Sequence, residues 1–169
     1  MLPEDKLHRI QNVLELLDDT AAAALATVNA NGTPHNTPVF AAFDGDYKVV
    51  WASHPSSQHS QNVERTGKVF ITVFDATCKH GNGLYIEAEV EIITPEHPEF
   101  ALMCKTFAQA KTDFGAPEPL EQDFAKPGGQ RLYCASPKTM WINYTTKNER
   151  GVVVRDQRFR VTTDMLRDA

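Results

Sequence analysis

The chain has no apolar run near the ~20 residues a membrane-crossing helix needs. Its first residues, Met1-Leu2-Pro3-Glu4-Asp5-Lys6, lack a hydrophobic signal-peptide core, so a cytoplasmic protein without membrane attachment is expected. Cysteine is scarce. Cys78, Cys104 and Cys134 are odd in number, far apart and without CxxC spacing, which excludes a disulfide framework and a zinc knuckle. Cys78-Lys79-His80 offers two ligands where a closed zinc site takes four, so no metal site is expected. A basic stripe is also missing. With a net charge of -5 and a pI near 5.6, the chain lacks the positive face that nucleic-acid binding requires. Glycine-rich phosphate loops, the dinucleotide fingerprint and a nucleophile elbow are absent, which removes P-loop, Rossmann and α/β-hydrolase chemistry.

One further absence is local. Between Ala52 and Val63 this acidic chain has no carboxylate, but it has four serines, two histidines, two glutamines and an asparagine. Such a stretch suits an anion. Pro55-Ser56-Ser57 reads as a helix start with a serine cap. Its unpaired N–H groups and positive end would face the same space as the hydroxyls, which favours phosphate. The plainer alternative is a solvated connection with an ordinary serine cap.

At 169 residues and 41% hydrophobic, residues 1–169 are expected to form one domain. Leu7, Ile10, Val13, Leu14 and Leu17 recur at helical spacing and predict an amphipathic helix over Glu4–Asp19, begun by Pro3. A strand over 24–28, a hairpin turn at Asn31-Gly32, a strand over 35–43, a tight turn at Asp44-Gly45 and a strand over 47–51 form a meander. A short helix over 58–65 ends at Gly67 as a left-handed cap, before a strand over 68–74. Residues 84–92 alternate, with Tyr85, Glu87, Glu89 and Glu91 on one face. Thr94-Pro95-Glu96 predicts the start of a helix to about Lys111, with Phe100, Met103, Cys104 and Phe107 on its apolar face. The proline- and glycine-rich segment 115–129 reads as a mobile loop or lid. Strand signals resume at 131–135, 140–144, 152–155 and 158–161. Many short strands, tight turns and no βαβ unit give a mainly β fold with α, a closed antiparallel barrel with flanking helices.

Leu25-Ala26-Thr27-Val28, Gly32-Thr33-Pro34-His35-Asn36-Thr37-Pro38-Val39, Trp51-Ala52-Ser53, Ser57-x-His59-x-x-Asn62 and Val69-Phe70-Ile71-Thr72-Val73-Phe74 follow one another in order. This series resembles the pyridoxamine 5′-phosphate oxidase-like family of FMN-binding split barrels over roughly residues 7–93. The resemblance implies a six-stranded antiparallel split β-barrel and a homodimer binding one FMN per subunit interface. It implies that Asn36, Thr37 and Val39 lie beside the flavin ring and its tail, that Trp51, Ala52 and Ser53 line the ring, and that Ser57, His59, Ser60 and Asn62 hold the phosphate end. Trp141 is a further candidate, contributed by the other subunit.

Two departures shape the expectation. Where the family commonly carries basic groups, this chain has His59, Asn36 and Ala41. Its C-terminal part, Arg155-Asp156-Gln157-Arg158-Phe159-Arg160-Val161, lacks the arginine, histidine and tryptophan set that would engage pyridoxamine phosphate. The resemblance therefore implies an FMN-dependent oxidoreductase acting on another small-molecule substrate, with the flavin carrying the chemistry. The alternative is a protein that holds flavin, F420 or haem without turnover, with His54, His59 and His80 as possible iron ligands.

Overall fold

The computed structural model describes residues 4–76 and 83–169. Pro3, Cys78 and His80, which the sequence reading invoked, lie outside them. The chain runs α1 (Glu4–Asp19), β1 (Ala22–Val28), β2 (Pro34–Phe43), β3 (Val49–Ser53), α2 (Gln58–Thr66), β4 (Lys68–Phe74), β5 (Gly83–Ile93), α3 (Phe100–Asp113), α4 (Glu121–Ala125), β6 (Arg131–Lys147), β7 (Val153–Val161) and α5 (Thr163–Arg167). The strands form one sheet in the order β3-β2-β1-β4-β5-β6-β7, and β3 also pairs with β6. That pairing closes six strands into an antiparallel barrel and leaves β7 as an extra strand beside β6. All the pairings are antiparallel.

Three hairpins share one turn. In Asn29–Thr33, Asp44–Lys48 and Asn148–Val152 the first residue's N–H bonds the last residue's carbonyl, and the fourth residue's N–H bonds the first's carbonyl. The fourth position is left-handed each time, with φ of 84° at Gly32, 59° at Tyr47 and 76° at Gly151. A type I turn followed by one left-handed residue matches the right-handed twist of the strands. The expected two-residue turns are therefore longer than read. Asn31 and Gly45 avoid positive φ, and Tyr47 belongs to a turn, so β3 starts at Val49. Tyr47 accepts an unfavourable backbone because its half-buried side chain packs on the core.

Odd-numbered residues of β2 and β3, including Val39, Ala41, Val49 and Trp51, point into the barrel with Leu25, Ile71, Leu84 and Ile86. Ala42, Val50 and Leu132 point outward and are covered by Phe100, Met103, Cys104 and Phe107 of α3. β6 changes parity midway. Tyr133 and Ala135 face inward, then Met140 and Ile142 do, because Lys138 is an extra residue between the pairs Ala88↔Pro137 and Glu87↔Thr139. The bulge turns Trp141 to the outer face beside Phe70 (ring centroids 6.3 Å). It also lets one strand of 131–147 replace the two expected there.

Helix α1 buries Ile10 and Val13 at the barrel end where β1 begins. Each such aliphatic side chain contributes about 1.5–3 kcal/mol on burial. The opposite end, where β1 and β3 finish, is closed by α2, which inserts Val63 and ends at Gly67 with φ 64°. Two expectations are corrected here. Helix α3 begins at Phe100, because Pro98 disfavours helical geometry at His97, and Thr94–His97 forms a separate turn. Segment 115–129 contains α4, whose Phe124 is buried against Phe107, so the segment is pinned to the second apolar cluster.

Candidate functional site

The buried polar side chains among the described residues are Thr27, Ser53, His59, Ser60 and Asn62, and they gather at one place, the α2 end of the barrel. Thr27 is next to last in β1, Ser53 ends β3, and the other three lie on the inward side of α2. Chain topology brings them together, since α2 follows β3 directly and crosses over β2 and β1 to reach β4.

The contacts form two linked groups. His59 Nε2 lies 2.7 Å from Ser53 Oγ and 3.2 Å from Ser57 Oγ, and Ser60 Oγ lies 2.8 Å from Ser57 Oγ. Asn62 Nδ2 donates to Thr27 Oγ1 and to Asn29 Oδ1, both at 3.0 Å, and its Oδ1 accepts from Gln58 Nε2 at 3.1 Å. Burial, and secondarily the nearby His35, hold the His59 pKa below the usual imidazole value. His59 is therefore neutral at pH 7.

Ser57 is the N-cap of α2, but its hydroxyl does not cap the helix. It donates to the His54 carbonyl at 2.8 Å instead. The first-turn N–H groups, which no helical carbonyl can reach, are thus left without the cap expected from the sequence. His54, Ser56 and Gln58 are exposed and Ser57 is half-buried, so these four form an outer lip above a floor of Ser53, His59 and Ser60. Hydroxyls, uncapped amides and the positive helix end form a donor set suited to a phosphate. His54 is tied to the 115–129 segment, with Nε2 2.9 Å from the Gly128 carbonyl.

The other expected site residues are dispersed. Thr37 lies near the cluster on the inner face of β2, its Oγ1 2.9 Å from His35 Nε2, and Val39 packs into the core. Trp51 is fully buried and stacks on Tyr133, its cross-strand partner, with centroids 5.4 Å apart. Its ring faces are occupied by protein. Ala52 points outward, against the second apolar cluster. Asn36 is on the outer face, lining a groove of about 720 Å³ with Glu15, Asp19, Ala24 and Pro38. Trp141 is on the outer face of the opposite wall, with Phe70 and with Tyr85, over which Arg158 lies at 3.6 Å. Among the described residues no cluster of three or more metal-ligating side chains occurs.

Sequence reasoning missed Thr27, Asn29 and His35. Thr27 and His35 face each other across β1 and β2, and Thr27 supplies the acceptor for Asn62. A threonine facing inward from an otherwise aliphatic strand was the available signal.

Residues 10–127 match the family model described as pyridoxamine 5′-phosphate oxidase. Among curated proteins, none matches the chain. Solved structures share the fold. HutZ, the haem storage protein from Vibrio cholerae, is 17% identical with a TM-score of 0.63, covering 78% of this chain and 92% of its own. An F420 reductase is 21% identical with a TM-score of 0.56, covering 75% and 93%. A Clostridium acetobutylicum protein related to general stress protein 26, of the pyridoxinephosphate oxidase family, is 13% identical with a TM-score of 0.59, covering 95% and 98%.

Proposed function

Because the family model covers residues 10–127, the chain belongs to the pyridoxamine 5′-phosphate oxidase family, and on that premise we propose that it is an FMN-dependent oxidoreductase acting on a small molecule. One observation carries the reading. The buried polar side chains among the described residues converge on the start of α2, where a serine at the N-cap leaves the helix amides uncapped. Ser53, Ser57, His59 and Ser60, with those amides, would hold the cofactor's phosphate, and Asn62 would fix α2 against β1. Thr37 and Val39 would extend the site along β2. Bound FMN would supply hydride or electron transfer, and this chain's residues would orient it and limit water at its phosphate end. A substrate other than pyridoxamine phosphate fits residues 155–161, which do not carry the histidine and tryptophan of the set that would engage it.

A homodimer completes the site in this reading. The half-buried aromatic patch of Phe70, Tyr85 and Trp141, and exposed Val153 and Val154 on the edge strand β7, are apolar surfaces that a second copy would cover. Cys104 and Cys134 are free thiols, in keeping with a cytoplasmic location.

Deazaflavin binding is the second reading, because the same phosphate end serves F420, and a solved F420 reductase shares the fold. Haem fits the described residues less well. His59 Nε2 is engaged by two serine hydroxyls, and His54 bonds Ser56 and Gly128. A visible absorbance spectrum of the purified protein, followed by titration with FMN, F420 and haem, tests the assignment. Saturable FMN binding with reducible flavin bands is expected. A protein that takes up haem or F420 and ignores FMN would overturn it.

A further inference from the structure

Among the described residues, two arginines in or beside α2 are engaged elsewhere. Arg131 is paired with Glu64 at 3.0 Å, and Arg65 donates to the Val28 carbonyl. The charge-capable groups that face the floor are two imidazoles. His59 lies on α2 between Ser53 and Ser57. His35 lies at the start of β2, opposite Thr27, which is itself bonded to Asn62 of α2. Nε2 of each ring bonds a hydroxyl, His59 to Ser53 at 2.7 Å and His35 to Thr37 at 2.9 Å. From β6, the phenol of Tyr133 approaches Ser60 and stays neutral, its pKa raised by burial. Segment 52–63, which carries His59, has no carboxylate, and the adjacent Glu64 is paired with Arg131.

We propose that His35 and His59 form a proton-controlled anion clamp, which takes up a proton when it binds a phosphate- or sulfate-type dianion and so grips more tightly as pH falls below neutral. The proposal rests on the reading that the cofactor's phosphate occupies the start of α2. Without an anion, burial and the neighbouring imidazole keep His59 neutral, and its Nε2 accepts a hydrogen bond from a serine hydroxyl. With a dianion bound, one proton from solvent adds to an imidazole. Nε2–H then donates to the Ser53 oxygen, and the hydroxyl hydrogen of Ser53 turns toward the anion while Ser57 keeps its bond to the His54 carbonyl. No other bond forms or breaks. A permanent lysine or arginine would hold phosphate at every physiological pH, whereas this pair makes retention of a phosphorylated ligand depend on pH.

Sulfate is the suitable probe, because it stays a dianion across the range, whereas a phosphate ester itself titrates near pH 6. In the full-length protein, ring signals of His35 and His59 are followed by NMR from pH 5 to 8.5, with and without sulfate. Sulfate should raise the pKa of at least one of them by about a unit, which by linkage makes sulfate binding about fivefold tighter at pH 5.5 than at pH 7.5. His59→Gln should flatten that dependence. His35→Gln, at a half-buried position where His59 is buried and so safer for folding, should reduce it. A pH-independent sulfate affinity, or an undiminished slope in both variants, would overturn the clamp even if FMN binds. Sulfate-linked shifts in a protein that ignores FMN would uphold the clamp and overturn the flavin reading instead.

Discussion

Replacing Asn62 with alanine removes the side chain that joins α2 to β1 and to the first hairpin. Asn62 is 1% exposed, and its amide makes three hydrogen bonds, to Thr27, Asn29 and Gln58. Each neutral bond contributes about 1 kcal/mol net, and a buried partner left unsatisfied costs about 1–3 kcal/mol. Thr27, 4% exposed, would keep only a long 3.5 Å contact to the His35 carbonyl. The expected loss is therefore about 3 kcal/mol, a large share of the ~5–15 kcal/mol typical of a domain. For a chain of this length that corresponds to a melting-temperature drop of roughly 6–12 °C. Urea unfolding of wild type and Asn62→Ala measures it. Thr27→Val removes the stranded hydroxyl, so the double variant should lose about 1 kcal/mol less than the two single losses added. A single-variant loss below about 1 kcal/mol, or strictly additive losses, would mean that Asn62 does not tie the helix to the barrel.

The remaining expectations concern protons and thiols. His59 has a folded-state pKa below its unfolded value of about 6.5, so the unfolded chain binds the extra proton; in anion-free buffer, stability should be full above that pH and decline as pH falls through it. Urea midpoints at pH 7.5 and 5.5 should differ less in His59→Gln than in wild type, and an equal difference would remove His59 as the cause. Burial pushes the Cys104 and Cys134 thiols up to about 11, so neither should alkylate at pH 8 until the chain unfolds. Mass-resolved iodoacetamide labelling checks this, and rapid native labelling of either would contradict its buried position.

Much of this organisation is legible in the sequence. Helix α1, strand β4 and the Gly67 cap follow from local signals of period, composition and left-handed tolerance. The barrel class follows from the density of turns. The carboxylate-free segment drew attention to α2, where the buried polar residues do meet. What stayed hidden depends on pairing across the fold. Tyr47 reads as strand because nothing local shows that its turn repeats the Asn29–Thr33 design. Residues 131–147 read as two strands, and the bulge at Lys138 that joins them into one is visible only once β5 is paired with β6. Trp51 reads as a site residue from its position beside the polar loop, yet closure of β3 on β6 seals it against Tyr133. His35 was overlooked because its nearness to His59 arises only when α2 folds back over β2.

The central claim, that the start of α2 holds the cofactor's phosphate, is tested most directly by comparing FMN with riboflavin, which lacks only that group, in wild type and in the Ser57→Ala/His59→Ala double variant. Hydrogen bonds to a charged group contribute about 1.5–3 kcal/mol each. Wild type should therefore bind FMN at least a hundredfold more tightly than riboflavin, and the double variant should lose most of that margin while keeping its riboflavin affinity. Equal affinities in wild type, or a margin that survives intact in the double variant, would place the phosphate elsewhere.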